Sequence, residues 1–308
     1  MIDLPAPLFA VEHRIEQQAS LMQIGPATMS MRPSDLPIPR RRSPEQQREA
    51  EKQAGLERPN LPEQDRLAYC LQKAATDPDA AMVEVQTWLG ESRDGGQQVR
   101  ANQCLGILRS NAGDFDGALE AFAQAVSGVP KQQEVAAVPL MGMAGNAALA
   151  GGKAEQALGW FDRAIAVQGY ADNAALGAMQ ADRSRALVAL GRLAEAGDAL
   201  DEAHRLAPED PEGWLLSATL ARRNGELDRA QRDIEVAAQY GPRNPQIGLE
   251  AGVIAVLSGR DEAARKSWES VVSADKDGEA GKTAQSYLEQ LGPAPKSEAP
   301  ATAGKTAP

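Results

Sequence analysis

Residues 191–208 read GRLAEAGDALDEAHRLAP. After the glycine, Leu193, Ala196, Ala199, Leu200 and Ala203 recur at steps of three and four, the period of a helix with one buried face. The run stops before Pro208, which lacks the N–H that a helix ladder needs. Residues 177–190, GAMQADRSRALVAL, repeat the pattern through Met179, Ala186, Leu187 and Leu190. Gly191 lies between the two runs, where a helix C-terminus calls for a left-handed residue and glycine supplies it without steric penalty. The stretch therefore predicts helix, tight turn, helix.

The same punctuation recurs in register. A glycine followed five residues later by an alanine occurs at Gly113/Ala118, Gly152/Ala157, Gly191/Ala196, Gly225/Ala230 and Gly259/Ala264, at steps of 39, 39, 34 and 34 residues. Four positions beyond each alanine stands an apolar residue (Phe122, Phe161, Leu200, Ile234, Trp268), then a small or apolar one (Ala125, Ala164, Ala203, Ala237, Val271). A fixed period of this size marks stacked repeats, because one helical hairpin cannot bury its apolar face alone. The small alanine lets the paired helices approach, and the bulky residue a turn later is expected to fill the space toward the next unit.

These residues resemble the tetratricopeptide repeat family. The best copy runs from Pro211 to Pro242, with Trp214, Ala218, Ala230, Ile234 and Ala237 at the family's characteristic sites. The first copy matches through Leu105, Gly106, Ala118, Phe122, Ala125 and Pro130. The second has Gly145, Ala157, Phe161 and Ala164, with Gly169 in place of the closing proline. The third keeps Ala196, Ala203 and Pro208 but carries Arg183 and Ser184 on its first helix, and the fifth has Gly252, Ala264 and Trp268 with Lys276 for the proline. The longer steps predict extra turn residues near 129–136 and 168–175. The match covers about residues 99–276. It implies an all-α, right-handed superhelical solenoid of helix-turn-helix repeats.

Proline placement sets the boundaries. Of 20 prolines, nine lie in residues 1–62, four follow Gly292, and the remaining seven fall at predicted helix junctions. Residues 1–61 are expected to be mostly disordered, with short helices at 8–22 and 44–54, and the tail 292–308 is too poor in bulky apolar residues to fold. The solenoid is expected over 62–291. It opens with a degenerate unit at 62–91, built on Leu67, Leu71, Ala74, Ala81, Val85, Trp88 and Leu89. A helix at 279–291, with Ala284, Tyr287, Leu288 and Leu291 on one face, is expected to cap the stack.

The net charge of −11 sits in the repeats: residues 1–60 balance at eight basic and eight acidic, whereas 61–291 hold 22 basic and 34 acidic residues. Nucleic acid is disfavoured as a partner, since phosphate binding runs on basic patches. No stretch is apolar enough to span a membrane; the mildest run, 135–152, is broken by Pro139, Gly142, Gly145 and Asn146. The opening MIDLPAPLFAVEH has no basic region before its apolar residues, so no secretory leader is expected as the sequence stands and a cytoplasmic location follows. Cys70 and Cys104 are 34 residues apart, one repeat period, so equivalent positions on adjacent units would bring the thiols together. A bridge would imply an oxidising compartment such as a periplasm, with the true start at Met22, Met29 or Met31. Two buried free thiols are the other reading. The alanine- and arginine-rich usage is that of a bacterial protein.

Catalytic and cofactor signatures are lacking. Gly281-Lys282-Thr283 and Gly304-Lys305-Thr306 mimic part of a phosphate loop, but Lys276 and Ala299 occupy the sites of its first glycine. The two histidines, His13 and His204, have no metal-ligand spacing around them. No cofactor, metal or enzymatic activity is expected. Arg40-Arg41-Arg42 before Ser43-Pro44 reads as a solvated spacer ahead of a helix N-terminus, or as a docking signal.

The resemblance also implies where binding happens: the first helices of the units line a groove for an extended segment. Carried over position by position, the groove candidates are Arg100, Gln103, Asn146, Arg185, Leu215, Thr219, Arg222, Arg223, Gln246, Leu249 and Val253. The arginines would pair with carboxylates of a ligand. The family's clamp for a terminal carboxylate is missing, with Gln103, Ile107, Met143, Ala178 and Asp182 at its sites. The expected function is a non-catalytic scaffold for a protein or peptide segment. The alternatives are an assembly protein that self-associates into homo-oligomers and a stable regulatory subunit of an enzyme.

Overall fold

The computed structural model describes residues 66–293, and every regular element among them is helical. The helices come in pairs: α1 (Arg66–Thr76) with α2 (Pro78–Glu91), α3 (Gly95–Asn111) with α4 (Phe115–Gly128), and α5 (Val138–Ala150) with α6 (Ala154–Ala166). Next come α7 (Asn173–Ala189) with α8 (Leu193–Leu206), α9 (Pro211–Arg223) with α10 (Leu227–Tyr240), and α11 (Pro245–Leu257) with α12 (Asp261–Ala274). A last helix, α13 (Glu279–Leu291), follows alone. These are all-α hairpin repeats. Residues up to Gly213 belong to one compact unit and those from Trp214 to a second, the division falling within α9. The expected helices at 8–22 and 44–54, the Arg40–Arg42 run and the tail beyond Pro293 lie outside the described residues.

Local chemistry sets the helix ends. Asp77, Asp94, Asp114, Asp172 and Asn244 each accept a backbone N–H of the first turn through a side-chain oxygen, which satisfies a donor that the ladder leaves free. Gly113, Gly152, Gly191, Gly225 and Gly259 hold φ between 69° and 79° at the turn inside each hairpin. The two 39-residue steps have distinct causes. A 3-10 helix, Lys131–Ala137, precedes α5, and an irregular link containing Gly169 at φ 85° precedes α7.

Packing inside each hairpin is steric pairing of a small residue with a large one. A Cβ on Gly106 would come within 2.5 Å of the Phe122 ring, and one on Gly145 equally close to Phe161. Gly252 lies nearer still to Trp268. Where the second-helix residue is aliphatic, Leu200 or Ile234, the first helix has Ser184 or Ala218 in register. Ser184 is buried, and its hydroxyl donates to the Ala181 carbonyl at 2.7 Å. The bulky residue thus does more than fill space toward the next unit. It closes its own hairpin first, and Phe122 then also packs with Ala144 and Ala147 of the following pair.

In the unit from Trp214, Leu215, Ala218, Ile234, Ile247 and Ile254 form one core, while Leu249, Val253 and Trp268 form another with Ala280, Ala284 and Tyr287 of α13. The Trp268 and Tyr287 rings lie 5.1 Å apart between centroids, and the Trp268 indole donates to the Leu249 carbonyl at 3.1 Å. In the other unit, Cys70 of α1 and Cys104 of α3 are fully buried and joined as a disulfide, with Cα atoms 6.4 Å apart. The bridge ties the degenerate first hairpin to the one that follows. No described helix is long and apolar enough to cross a membrane.

Candidate interaction surface

The first helices carry a row of polar side chains that meets across three hairpins within residues 66–213. Asn146 on α5 hydrogen-bonds through its side chain to Asp182 on α7. Asp182 pairs with Arg185 one turn further on, and Arg185 reaches across to Glu212 in the first turn of α9. The Glu212 backbone N–H in turn donates to Asp210 at 3.2 Å. Arg185 and Asp182 are the floor of this row, 2% and 6% exposed. The Glu212 side chain is 30% exposed, and Asn146 and Asp210 are half-buried.

Electrostatics at this place favour the uncharged carboxyl. Burial raises Asp182 above the ordinary carboxylate range, and Asp210 adds to the rise against the pull of Arg185 and Asn146. Glu212 is raised chiefly by burial as well, with Asp210 and Asp182 adding to it and Arg185 opposing. One guanidinium thus serves two carboxylates, Asp182 and Glu212. Two buried atoms in the row have no hydrogen-bond partner, the acceptor Asn146 Oδ1 and the donor Arg185 Nε.

In the unit from Trp214, Arg222 is 3% exposed and its Nε donates to Glu250 on α11 at 2.6 Å. Glu250 also acts on Tyr287, whose phenol is pushed up to about 12 by burial first and by that carboxylate second. Ser217 donates to Asp233 at 2.7 Å, a second buried polar tie.

These positions revise the expected set. Arg185 and Arg222 are not free cations presented to a ligand's carboxylate; each is buried and paired with acids of the chain itself. A guanidinium so far from water needs such partners. Leu215, Leu249 and Val253 lie in the hydrophobic cores described above, so their apolar surface already has protein against it. Thr219 is half-buried and its hydroxyl donates to the Leu215 carbonyl at 2.9 Å. Arg223 and Gln246 are exposed, and Arg100, Gln103 and Asn146 are half-buried. Asp182, Asp210 and Glu212 lie outside the expected binding set. The sequence does carry a signal for the first of them, an acid three residues before Arg185 on the same helical face.

Other features find structural roles. Gly281 of the first Gly-Lys-Thr run sits in the opening turn of α13, where a Cβ would strike the Asp275 carbonyl. Thr306 and its neighbours lie outside the described residues. Among the described residues no three of His, Cys, Asp and Glu converge as a metal site.

Antiparallel helical hairpins with glycine turns, repeated in register, define an all-α helical-repeat fold. Residues 215–279 match the tetratricopeptide repeat family. The chain's fold is similar to that of PilW, a widely conserved type IV pilus biogenesis factor, at 16% identity and a TM-score of 0.61 over 74% of this chain and 100% of that one. It is also similar to pilF of Pseudomonas aeruginosa, at 16% identity and a TM-score of 0.57 over 79% and 100% of the two chains. TTC0263, a thermophilic TPR protein in Thermus thermophilus, matches at 21% identity and a TM-score of 0.51 over 62% and 99%. At such identities the likeness is one of fold. No curated protein matches the chain in sequence.

Proposed function

We propose that the chain is a non-catalytic scaffold that holds an extended peptide or protein segment along the first helices within residues 66–213. The observation that supports this is the Asn146–Asp182–Arg185–Glu212 row, a continuous line of polar side chains along the first helices with a buried floor and a half-buried rim. Recognition of this kind uses a few polar anchors with apolar contact between them.

Site-specific photo-crosslinking tests the reading. A photoreactive amino acid at Gln103 on α3 or at the exposed Ala178 on α7 is expected to trap a partner polypeptide. The same group at the exposed Gln124 on α4 or Asp198 on α8 is expected to trap none. Adducts from the second-helix positions alone would refute the groove. Adducts made only of two copies of this chain would favour the assembly role instead.

A further inference from the structure

We infer that residues 8–22 of this chain dock, as a helix, on the apolar part of the first helices within residues 66–213. The inference shares those helices with the reading above and assigns them an occupant from the same molecule. One step of 39 residues relates Ser110, Leu149 and Val188 on α3, α5 and α7, and the same step relates Asn111, Ala150 and Ala189. Both rows thus turn from polar on α3 to apolar on α5 and α7. Leu149, Ala150 and Val188 are half-buried and Ala189 is exposed. Ile107 of α3 and Met143 of α5 pack against the core of Phe122 and Ala144 while keeping part of their surface open. Such side chains hold water poorly, so an apolar surface laid on them gains from their burial. Methionine, flexible and polarisable, adapts to what covers it.

Three properties of the preceding sequence point to the occupant. Leu8, Val11, Ile15, Ala19 and Met22 recur at steps of three and four, which places them on one face of a helix. A helix of that length is marginal alone in water, so its stripe needs an apolar surface to form on. The 43 residues between Met22 and Arg66 reach up to about 150 Å when extended, far more than the roughly 25 Å length of α3. Tethering also makes the docking intramolecular, so a contact too weak between separate molecules is populated within one. Charge agrees in sign: residues 23–42 hold four basic and one acidic side chain, whereas residues 66–213 hold 12 basic and 20 acidic ones. The Arg40-Arg41-Arg42 run then acts as a docking signal for the chain's own acidic body. A partner segment binding these helices must displace residues 8–22.

Crosslinking in the full chain tests the assignment. A photoreactive amino acid at Ile15 is expected to join to α3, α5 or α7 of the same molecule, with no mixed adducts when chains of two isotopic labels are combined. The same group at Gln17, on the opposite side of such a helix, is expected to join to none of the three. A fluorescent peptide of residues 8–22 supplies a second measurement. The full-length variant Val11→Asp with Ile15→Asp is expected to bind it about tenfold more tightly than the wild type, because its own segment no longer competes. Adding Ala189→Glu, at an exposed position, is expected to reverse that gain. Ile15 adducts confined to residues 214–293, mixed-label adducts, or equal peptide binding by the wild type and the double variant would overturn the self-docking. Partner polypeptides still trapped at Gln103 and Ala178 in that case would leave the groove reading in place. Ile15 adducts on α3, α5 or α7, with no partner trapped even by the double variant, would uphold the self-docking and refute the partner reading.

Discussion

Gly252 of α11 lies against the indole of Trp268 on α12 so closely that a single added carbon would overlap the ring. The same relationship joins Gly106 to Phe122 and Gly145 to Phe161, and it relaxes to Ala218 where the partner is Ile234. The size of the first-helix residue is therefore set by the residue that closes the hairpin from the second helix. Interiors packed to near-crystal density leave no other adjustment.

Gly252→Ala is expected to lower stability by about 1–3 kcal/mol, the usual cost of forcing an extra carbon into a filled core. In a chain already carrying Trp268→Leu, the same change is expected to cost little or to stabilise, since alanine is the better helix former by up to about 1 kcal/mol. Urea unfolding of the four chains in this cycle checks the prediction. Equal costs in both backgrounds would contradict the steric pairing.

Much of this architecture is legible in the order of residues alone. The in-register glycines mark the hairpin turns and the apolar steps mark the helices, because both signals are local. The partners of the polar residues are not legible to the same degree. Arg185 and Glu212 are 27 residues apart, and Arg222 and Glu250 are 28 apart. An arginine on a helix face reads the same whether it meets solvent, a ligand or an acid of the next hairpin. Leu249 and Val253 pass for groove residues for a related reason: the helix α13 packs onto their part of the molecule, and an alignment to first-helix positions does not carry that contact.

The Cys70–Cys104 bridge closes a loop spanning 34 residues, for which the chain-entropy argument gives about 3–4 kcal/mol of stabilisation. Protein purified without reductant and denatured is expected to show no free thiol. Reductant or Cys104→Ser is expected to lower the unfolding midpoint, with the loss greatest for α1 and α2 in hydrogen exchange. Two titratable thiols in the untreated protein would show that the pair is not bridged in the cell that made it.

Asp182 and Glu212 also give a pH dependence of definite sign. Their folded values lie above the unfolded ones, so the unfolded chain ionises first as pH rises. Their contribution to stability is then fully present below the ordinary carboxylate range of about 4 and is lost as pH climbs through the raised folded values. Acidifying from about pH 7 toward pH 5 is therefore expected to stabilise the wild type relative to Asp182→Asn. Glu195 and Glu202, which are lowered by Arg192 and Arg205, are common to both proteins and cancel in the comparison. Parallel melting-temperature profiles across this range would show that burial does not hold the Asp182 proton.

Arg222 and Glu250 distinguish a structural ion pair from a binding group most directly. Both are nearly out of water, with side chains 1% and 11% exposed and 2.6 Å between Nε and Oε1. Removing one partner leaves the other charge buried alone, at a cost of about 3–5 kcal/mol, whereas replacing both by apolar residues of similar volume is often neutral. Arg222→Met alone is thus expected to lower the urea midpoint sharply, and Arg222→Met with Glu250→Leu to recover most of the loss. Tyr287 offers a second readout, because Glu250 helps to raise its phenol. In the double variant the tyrosine absorbance titration is expected to retain the rise caused by burial, while the opposed effects of Glu250 and Arg222 are both lost. An Arg222 that faced a ligand instead would tolerate methionine with no change in folding, so the midpoint of the single variant decides between the two roles.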